Sequence, residues 1–214
     1  GVAQALFSPR ERPAARAAIQ RRHRIPGRPI LLLWVGNDFY RKGLDLALGG
    51  IAGMRARHQV HFLVLGNGGD RGAYEPMISA LKLTAQVTYC GAHDDPQTYY
   101  RAADIFLFPS RFDAFANVCL EAAACGCVPL VGDGAGGAEI VRHGRAGYTF
   151  PSYDLPAISR SLDALCGKGR LAGHRTALAA EMKHYTLTAC AEQYLAVYRQ
   201  VIPERDTARP LPGQ

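Results

Sequence analysis

Strand-like apolar runs return along the chain at intervals that each admit one helix, and this recurrence limits the fold more than any other feature. The runs are "PILLLWVG" (29–36), "VHFLVLG" (60–66), "QVTYCG" (86–91), "DIFLFPS" (104–110), "VPLVG" (128–132) and "AGYTF" (146–150). The strongest are continuous in Leu, Ile and Val, which marks strands buried on both faces. Between them lie helix-like segments: 43–58, with Leu44, Leu48, Ile51 and Met54 at near-helical spacing; 73–83, where Pro76 is tolerable in a first turn; 96–103; an alanine-rich run ending near 126; and a short "AEIVRHG" (138–144). Two or three helices finish the chain, the last over 188–202. Strand–helix alternation of this kind predicts an α/β fold, a doubly wound parallel Rossmann-like sheet with right-handed crossovers. Ligands in such sheets bind beyond the carboxyl ends of the strands. The loops to read are therefore 36–43, 66–72, 91–95, 109–117 and 132–138.

The domain reading follows. Residues 1–28 form a basic lead-in and helix, 29–185 the Rossmann-like domain, 186–203 a C-terminal helix and 204–214 a disordered tail. The 214 residues, 48% hydrophobic and 20% charged, suit an ordinary globular core. No run is long enough for a bilayer span, and residues 1–30 do not resemble a signal peptide. The chain starts at Gly1 rather than Met, as a fragment would. Of the net charge of +7, much is local: seven arginines stand in residues 1–28 against Glu11 alone. Such a segment suits a phosphate-bearing ligand, a membrane surface or nucleic acid, or is simply a solvated face. The six cysteines show no disulfide framework, and Cys125-Gly-Cys127 lacks a histidine at zinc-site spacing. A reducing compartment fits them.

Two loops carry chemistry. The first, "VGNDFYRKGLD", lacks the G-x-G-x-x-G of a dinucleotide site, which disfavours a nicotinamide oxidoreductase. It offers Gly36 and Asn37, then Arg41 and Lys42 opening a helix, a combination suited to a diphosphate. The glycine-rich second loop, "LGNGGDRG", reads as a tight surface turn. The fourth, "RFDAFANVCLEAAACG", holds Asp113 before a helix and Glu121 inside it. Amides near Phe115, Ala116, Asn117 and Val118 begin that helix and can bond phosphate oxygens. A carboxylate within an alanine-rich helix is costly unless paired, and the two hydroxyls of a ribose would pair it. Asp113 would reach the group beyond the phosphate. Taken singly, each acid is better explained structurally, Glu121 by bonding to nearby backbone amides and Asp113 as a helix-flanking acid. Together with Arg41 and Lys42 across the same sheet edge, they favour a ligand.

These stretches resemble the nucleotide-sugar-binding half of family 4 retaining glycosyltransferases, which have the two-domain GT-B fold. "LWVGNDFYRKGLD", "VTYCGAHDDPQTYYRAADIFLFPS", "DAFANVCLEAAACGCVPLV" and "GGAEIVRHGRAGYTF" match in order. The first loop is similar to that of lipopolysaccharide-core glucosyltransferases. The resemblance implies that Arg41 and Lys42 hold the diphosphate, Glu121 the ribose and Asp113 the donor sugar, with Ala92 and His93 beside the base. The family's motif usually begins with Glu-Gly, where this chain has Asp113-Ala114. It implies hexose transfer from a nucleoside-diphosphate sugar, expected to be a UDP-sugar, to a glycan or glycolipid acceptor. Neither a cofactor nor a metal is expected, and nucleic acid is not an expected partner. The family's acceptor domain precedes the donor domain, so this chain is expected to be inactive alone. Its last helix would then expose a stripe through Tyr194, Val197 and Val201. The expected location is the cytoplasm, peripheral on the inner face of the membrane. Competing readings are a non-catalytic nucleotide-sugar-binding module, and a sugar-nucleotide epimerase or glycogen-type phosphorylase of the same fold.

Overall fold

The computed structural model describes residues 1–68, 71–139, 141, 147–167 and 169–202. Six strands, β1 (Ile30–Val35), β2 (Val60–Leu65), β3 (Val87–Gly91), β4 (Ile105–Phe108), β5 (Val128–Gly132) and β6 (Tyr148–Phe150), form one sheet. Their order is β3-β2-β1-β4-β5-β6 and every pairing is parallel. The chain moves outward from β1 in one direction as far as β3, then returns to the other side of β1 with β4. That reversal opens a crevice between the carboxyl ends of β1 and β4, where doubly wound sheets bind ligands.

Period-two alternation sorts the strand residues between two cores. Leu32, Trp34, Phe62, Val64, Ile105, Leu107 and Leu130 face one layer. There they meet α2 (Leu44–Ala52), α3 (Arg71–Ala80) and α6 (Leu155–Leu165) through Leu44, Leu48, Ile51, Ile78, Ile158 and Leu162. Leu31, Leu33, Leu63, Leu65, Phe106, Phe108 and Val131 face the opposite layer. It is built by α1 (Arg12–Arg22), α4 (Pro96–Ala102) and part of α5 (Asn117–Ala124), through Ile19, Tyr99, Tyr100, Cys119 and Ala122. Burial on both faces is the reason these strands read as continuous apolar runs. Helices α7 (Arg170–Glu181) and α8 (Leu187–Val201) complete the described chain, the latter capped by the Thr186 side chain.

Several elements differ from the sequence expectation. The helix expected over 43–58 ends at Ala52, followed by a 3-10 turn over Arg57–Gln59. The Arg55 and Ala56 amides donate to the Asp163 carboxylate at 3.1 Å each, so a side chain from α6 takes the donors that would have extended α2. Helix α3 begins two residues early, which moves Pro76 into its second turn. Its ring removes the donor to Gly72, which is exposed, so water can satisfy that carbonyl. Of the stretch expected as a short "AEIVRHG" helix, the first two residues end a 3-10 turn over Gly136–Glu139, and residues 140 and 142–144 lie outside the described residues. The tail at 204–214 also lies outside them.

The basic lead-in is not simply a solvated face. Helix α1 packs on α4, burying Ala15 and Ile19. Arg12 and Arg16 turn inward to Asp104, while Arg10, Arg21, Arg22, Arg24 and Arg28 are exposed. Val2 bonds to Tyr185 at 2.8 Å, tying the first residues to the segment that precedes α8. All six cysteines are free, with Cys119, Cys125 and Cys127 buried. Among the described residues no helix is long and apolar enough to cross a membrane, and no three His, Cys, Asp or Glu side chains are placed to share a metal ion.

Candidate functional site

The crevice between β1 and β4 is lined by the two loops singled out from the sequence. The first begins at Gly36, whose amide bonds to Leu65 O at 3.0 Å and extends the β1–β2 ladder by one residue. Asn37 then holds the neighbouring loop, its Oδ1 accepting from the Asn67 amide at 2.9 Å. The chain turns sharply from Asp38 to Leu44. Arg41 and Lys42 lie in this turn, ahead of the first helical residue Leu44, rather than in the helix itself. Asp38 holds the turn by accepting from the Arg41 amide at 2.9 Å and from its Nε at 3.1 Å. Those contacts, the backbone amide first, keep the Asp38 carboxyl below its ordinary range. Gly43 ends the turn at φ 71°, and a Cβ there would stand 2.1 Å from Pro109 O. Only glycine allows the first loop to reach the loop after β4 so closely.

That contact places the charges. Lys42 Nζ forms an ion pair with Asp113 Oδ2 across the crevice, with side chains 16% and 11% exposed. The ammonium also lies 5.1 Å from the centre of the Phe108 ring. The main chain beneath it is held because the Lys42 carbonyl accepts from Trp34 Nε1 at 3.0 Å. Arg41 is more open: its guanidinium donates to the Phe112 carbonyl at 3.3 Å, while its own carbonyl accepts from the Arg111 amide at 2.9 Å and the Ser110 hydroxyl at 3.2 Å. Asp113 is fixed from behind by a parallel bridge to Ala135, its carbonyl accepting from the Gly136 amide at 2.8 Å. Gly136 lies so near that a Cβ would stand 2.0 Å from Ala114 O.

Beyond Asp113 the chain passes exposed Phe115 and buried Ala116 into α5, whose first turn no side chain caps. The Asn117 amide already bonds to Phe115 O and that of Cys119 to Ala116 O. Of the amides expected to meet a ligand, Asn117's is therefore engaged within the loop. Glu121 is half-buried one turn further on, and Tyr100 of α4 donates to its Oε2 at 3.0 Å. Burial raises the Glu121 carboxyl above its ordinary range, and the Tyr100 hydroxyl opposes that rise only in part. One carboxylate oxygen remains without a protein donor among the described residues. His93 and Ala92 follow β3, two strands from β1. The imidazole Nε2 lies 2.9 Å from Cys90 O and the ring packs on Tyr99 at 5.0 Å.

Two partnerships were not visible in the sequence. Tyr100 reads there as one of two tyrosines in a short helix; only the fold turns it toward Glu121. Arg111 reads as an ordinary loop cation. In the structure it grips Asp45 through both terminal nitrogens, at 2.8 and 2.6 Å, and lies 4.0 Å over the Tyr40 ring. It thereby braces the first loop against the fourth. A cavity of about 680 Å³ lies away from the crevice, lined by residues of the lead-in, α5 and α7.

Residues 15–181 match the family model described as glycosyl transferases group 1. The chain is 29% identical over 220 residues to the D-inositol 3-phosphate glycosyltransferases of Mycobacterium bovis and Mycobacterium tuberculosis, covering 98% of this chain and 44% of theirs. It thus spans less than half the length of those relatives. Among solved structures it is similar to WaaG, a glycosyltransferase involved in lipopolysaccharide biosynthesis, at 25% identity, TM-score 0.72, and 87% and 50% coverage of the two chains. It shares its fold with Anabaena Alr3699/HepE, a structure in complex with UDP, at 16% identity, TM-score 0.83, and 94% and 56% coverage. With the family model spanning most of its length, the chain belongs to the group 1 glycosyl transferases.

Proposed function

We propose that this chain is the donor-binding half of a family 4, retaining hexosyltransferase that uses a UDP-sugar and a lipopolysaccharide or other glycan acceptor. The observation that carries the reading is the Lys42–Asp113 pair at the crevice between β1 and β4, with Glu121 beyond it. Similarity to WaaG, and the UDP held by HepE, support the donor class and the acceptor.

In this reading Arg41 and Lys42 neutralise the diphosphate, aided by the amide end of α5, with no metal ion in the reaction. The free oxygen of Glu121 accepts from the ribose hydroxyls while Tyr100 keeps the carboxylate oriented. Ala92 and His93 flank the base. As the bond from the anomeric carbon to the diphosphate oxygen breaks, positive charge moves onto the sugar and negative charge onto the leaving group. Lys42 meets the second and Asp113 the first, which is electrostatic preorganisation rather than covalent chemistry. Transfer also needs the acceptor oxygen held at the anomeric carbon in a water-poor cleft. We assign that wall to an acceptor domain preceding this one, on the cytoplasmic face of the membrane. Calorimetry of the chain against UDP-, GDP- and ADP-glucose tests the assignment. Heat of binding with the UDP-sugar, absent for uridine at the same concentration, is expected. Equal binding of uridine would remove the phosphate role of the first loop.

A further inference from the structure

A cavity of about 680 Å³ opens beside the C-terminal end of α5. It lies on the side of the sheet away from the crevice, since α5 runs from the β4 loop back toward the start of β5. Five cations line it, Arg10, Arg12, Arg101, Arg175 and Lys183, against one acid among the described residues, Glu11. Three of the arginines are structural. Arg12 donates to Cys125 O at 2.9 Å and Ala103 O at 2.7 Å, Arg101 to Ser8 O at 3.0 Å, and Arg175 to Gly126 O at 3.2 Å. Carbonyls satisfy hydrogen bonds but do not cancel charge. The one buried acid nearby, Asp104, is shared among Arg16 and Arg175 at 2.7 Å and Arg12 at 3.8 Å. The partial negative charge at the end of α5 offsets only a fraction of the remainder. Burial pushes the Arg12 guanidinium below its usual range, and the neighbouring Arg175 adds to the fall while Asp104 opposes it. Arg10 and Lys183 are exposed at the mouth and form no ion pair among the described residues.

We propose that this cavity is a second anion site, separate from the donor crevice, that takes a phosphate-bearing ligand. Partly buried cations in excess favour an anion that brings its own charge, and guanidiniums recognise phosphate oxygens through directed N–H groups. A volume of this size accommodates a group larger than phosphate itself. The phosphate could come from a soluble phosphorylated compound or from a lipid headgroup, and the recognition chemistry is the same.

The test uses inorganic pyrophosphate and phosphatidylglycerol vesicles on the whole chain, at matched ionic strength. Three proteins are compared: the unaltered chain, Lys42→Ala, and the exposed pair Arg10→Gln with Lys183→Gln, which leaves Arg12, Arg101 and Arg175 to hold the fold. Lys42→Ala is expected to retain one pyrophosphate-binding component. The Arg10/Lys183 double variant is expected to weaken that component at least ten-fold, for pyrophosphate if the source is soluble or for vesicles if it is lipid. Loss of all pyrophosphate and vesicle binding with Lys42→Ala would overturn the proposal. So would binding of both probes that is indifferent to Arg10 and Lys183.

Discussion

Lys42 and Asp113 are 71 residues apart, and their pairing has a consequence for ligand affinity. With no ligand bound, the charge assigned to the diphosphate is neutralised by a carboxylate. Asp113→Asn frees Lys42 and removes a negative charge from the phosphate's path. UDP should therefore bind several-fold more tightly, although sugar transfer by the whole enzyme falls. Weaker UDP binding by Asp113→Asn, measured by calorimetry, would mean that Asp113 positions Lys42 rather than competes for it. Glu121 gives a second prediction. With Tyr100 on one oxygen, the other accepts from ribose, and Glu121→Gln should weaken UDP while barely affecting 2′-deoxy-UDP. The pH dependence has a fixed sign. The carboxylate form is the acceptor and its pKa is raised by burial, so the preference for UDP over 2′-deoxy-UDP fades as pH falls through that raised value. The fade begins at a higher pH than an ordinary glutamate would give. The same shift means that ionised Glu121 costs stability as pH rises through its folded pKa, a cost absent below the unfolded value.

Among the elements, the strands were legible because burial on both faces leaves a mark in composition that needs no knowledge of neighbours. Helix ends were less so. The stop of α2 at Ala52 depends on Asp163, more than a hundred residues away, and no local pattern carries that information. The same holds for α1, whose arginines suggest a solvated or anion-seeking face. Arg16 instead joins Arg175 of α7 and the Leu31 amide of β1 on Asp104. This is a buried acid holding three elements, so Asp104→Asn should cost about 3 kcal/mol, by leaving partly buried guanidiniums unpaired. Denaturant unfolding measures it, and a loss within ~0.5 kcal/mol would show that the cluster is only surface electrostatics. Helix α8 shows a different kind of partial legibility. Its Tyr194, Val197 and Val201 are exposed as expected, together with Leu195 and Tyr198, but what they meet is not written in the helix.

At the scale of the molecule, the doubly wound sheet, the crevice and the two loops that line it could be read from residue order. The loop-to-loop contacts that turn them into a site could not. Gly43 against Pro109, Arg111 on Asp45 and Tyr100 on Glu121 all join segments far apart in sequence. The chain spans 44% of its curated relatives, and on the proposed reading the whole reaction belongs to a larger protein. Residues 1–214 alone are expected to bind a sugar nucleotide and transfer nothing. Adding the proposed acceptor domain, by fusion or in trans, should restore transfer to a purified glycan acceptor. The central claim, that the Lys42 crevice holds a nucleoside diphosphate, is tested most directly by titrating UDP and uridine into the unaltered chain and Lys42→Ala. Loss of a charge-assisted phosphate contact predicts about ten-fold or more weaker UDP binding, with uridine unchanged. An equal fall for both ligands, or no fall for UDP, would contradict it.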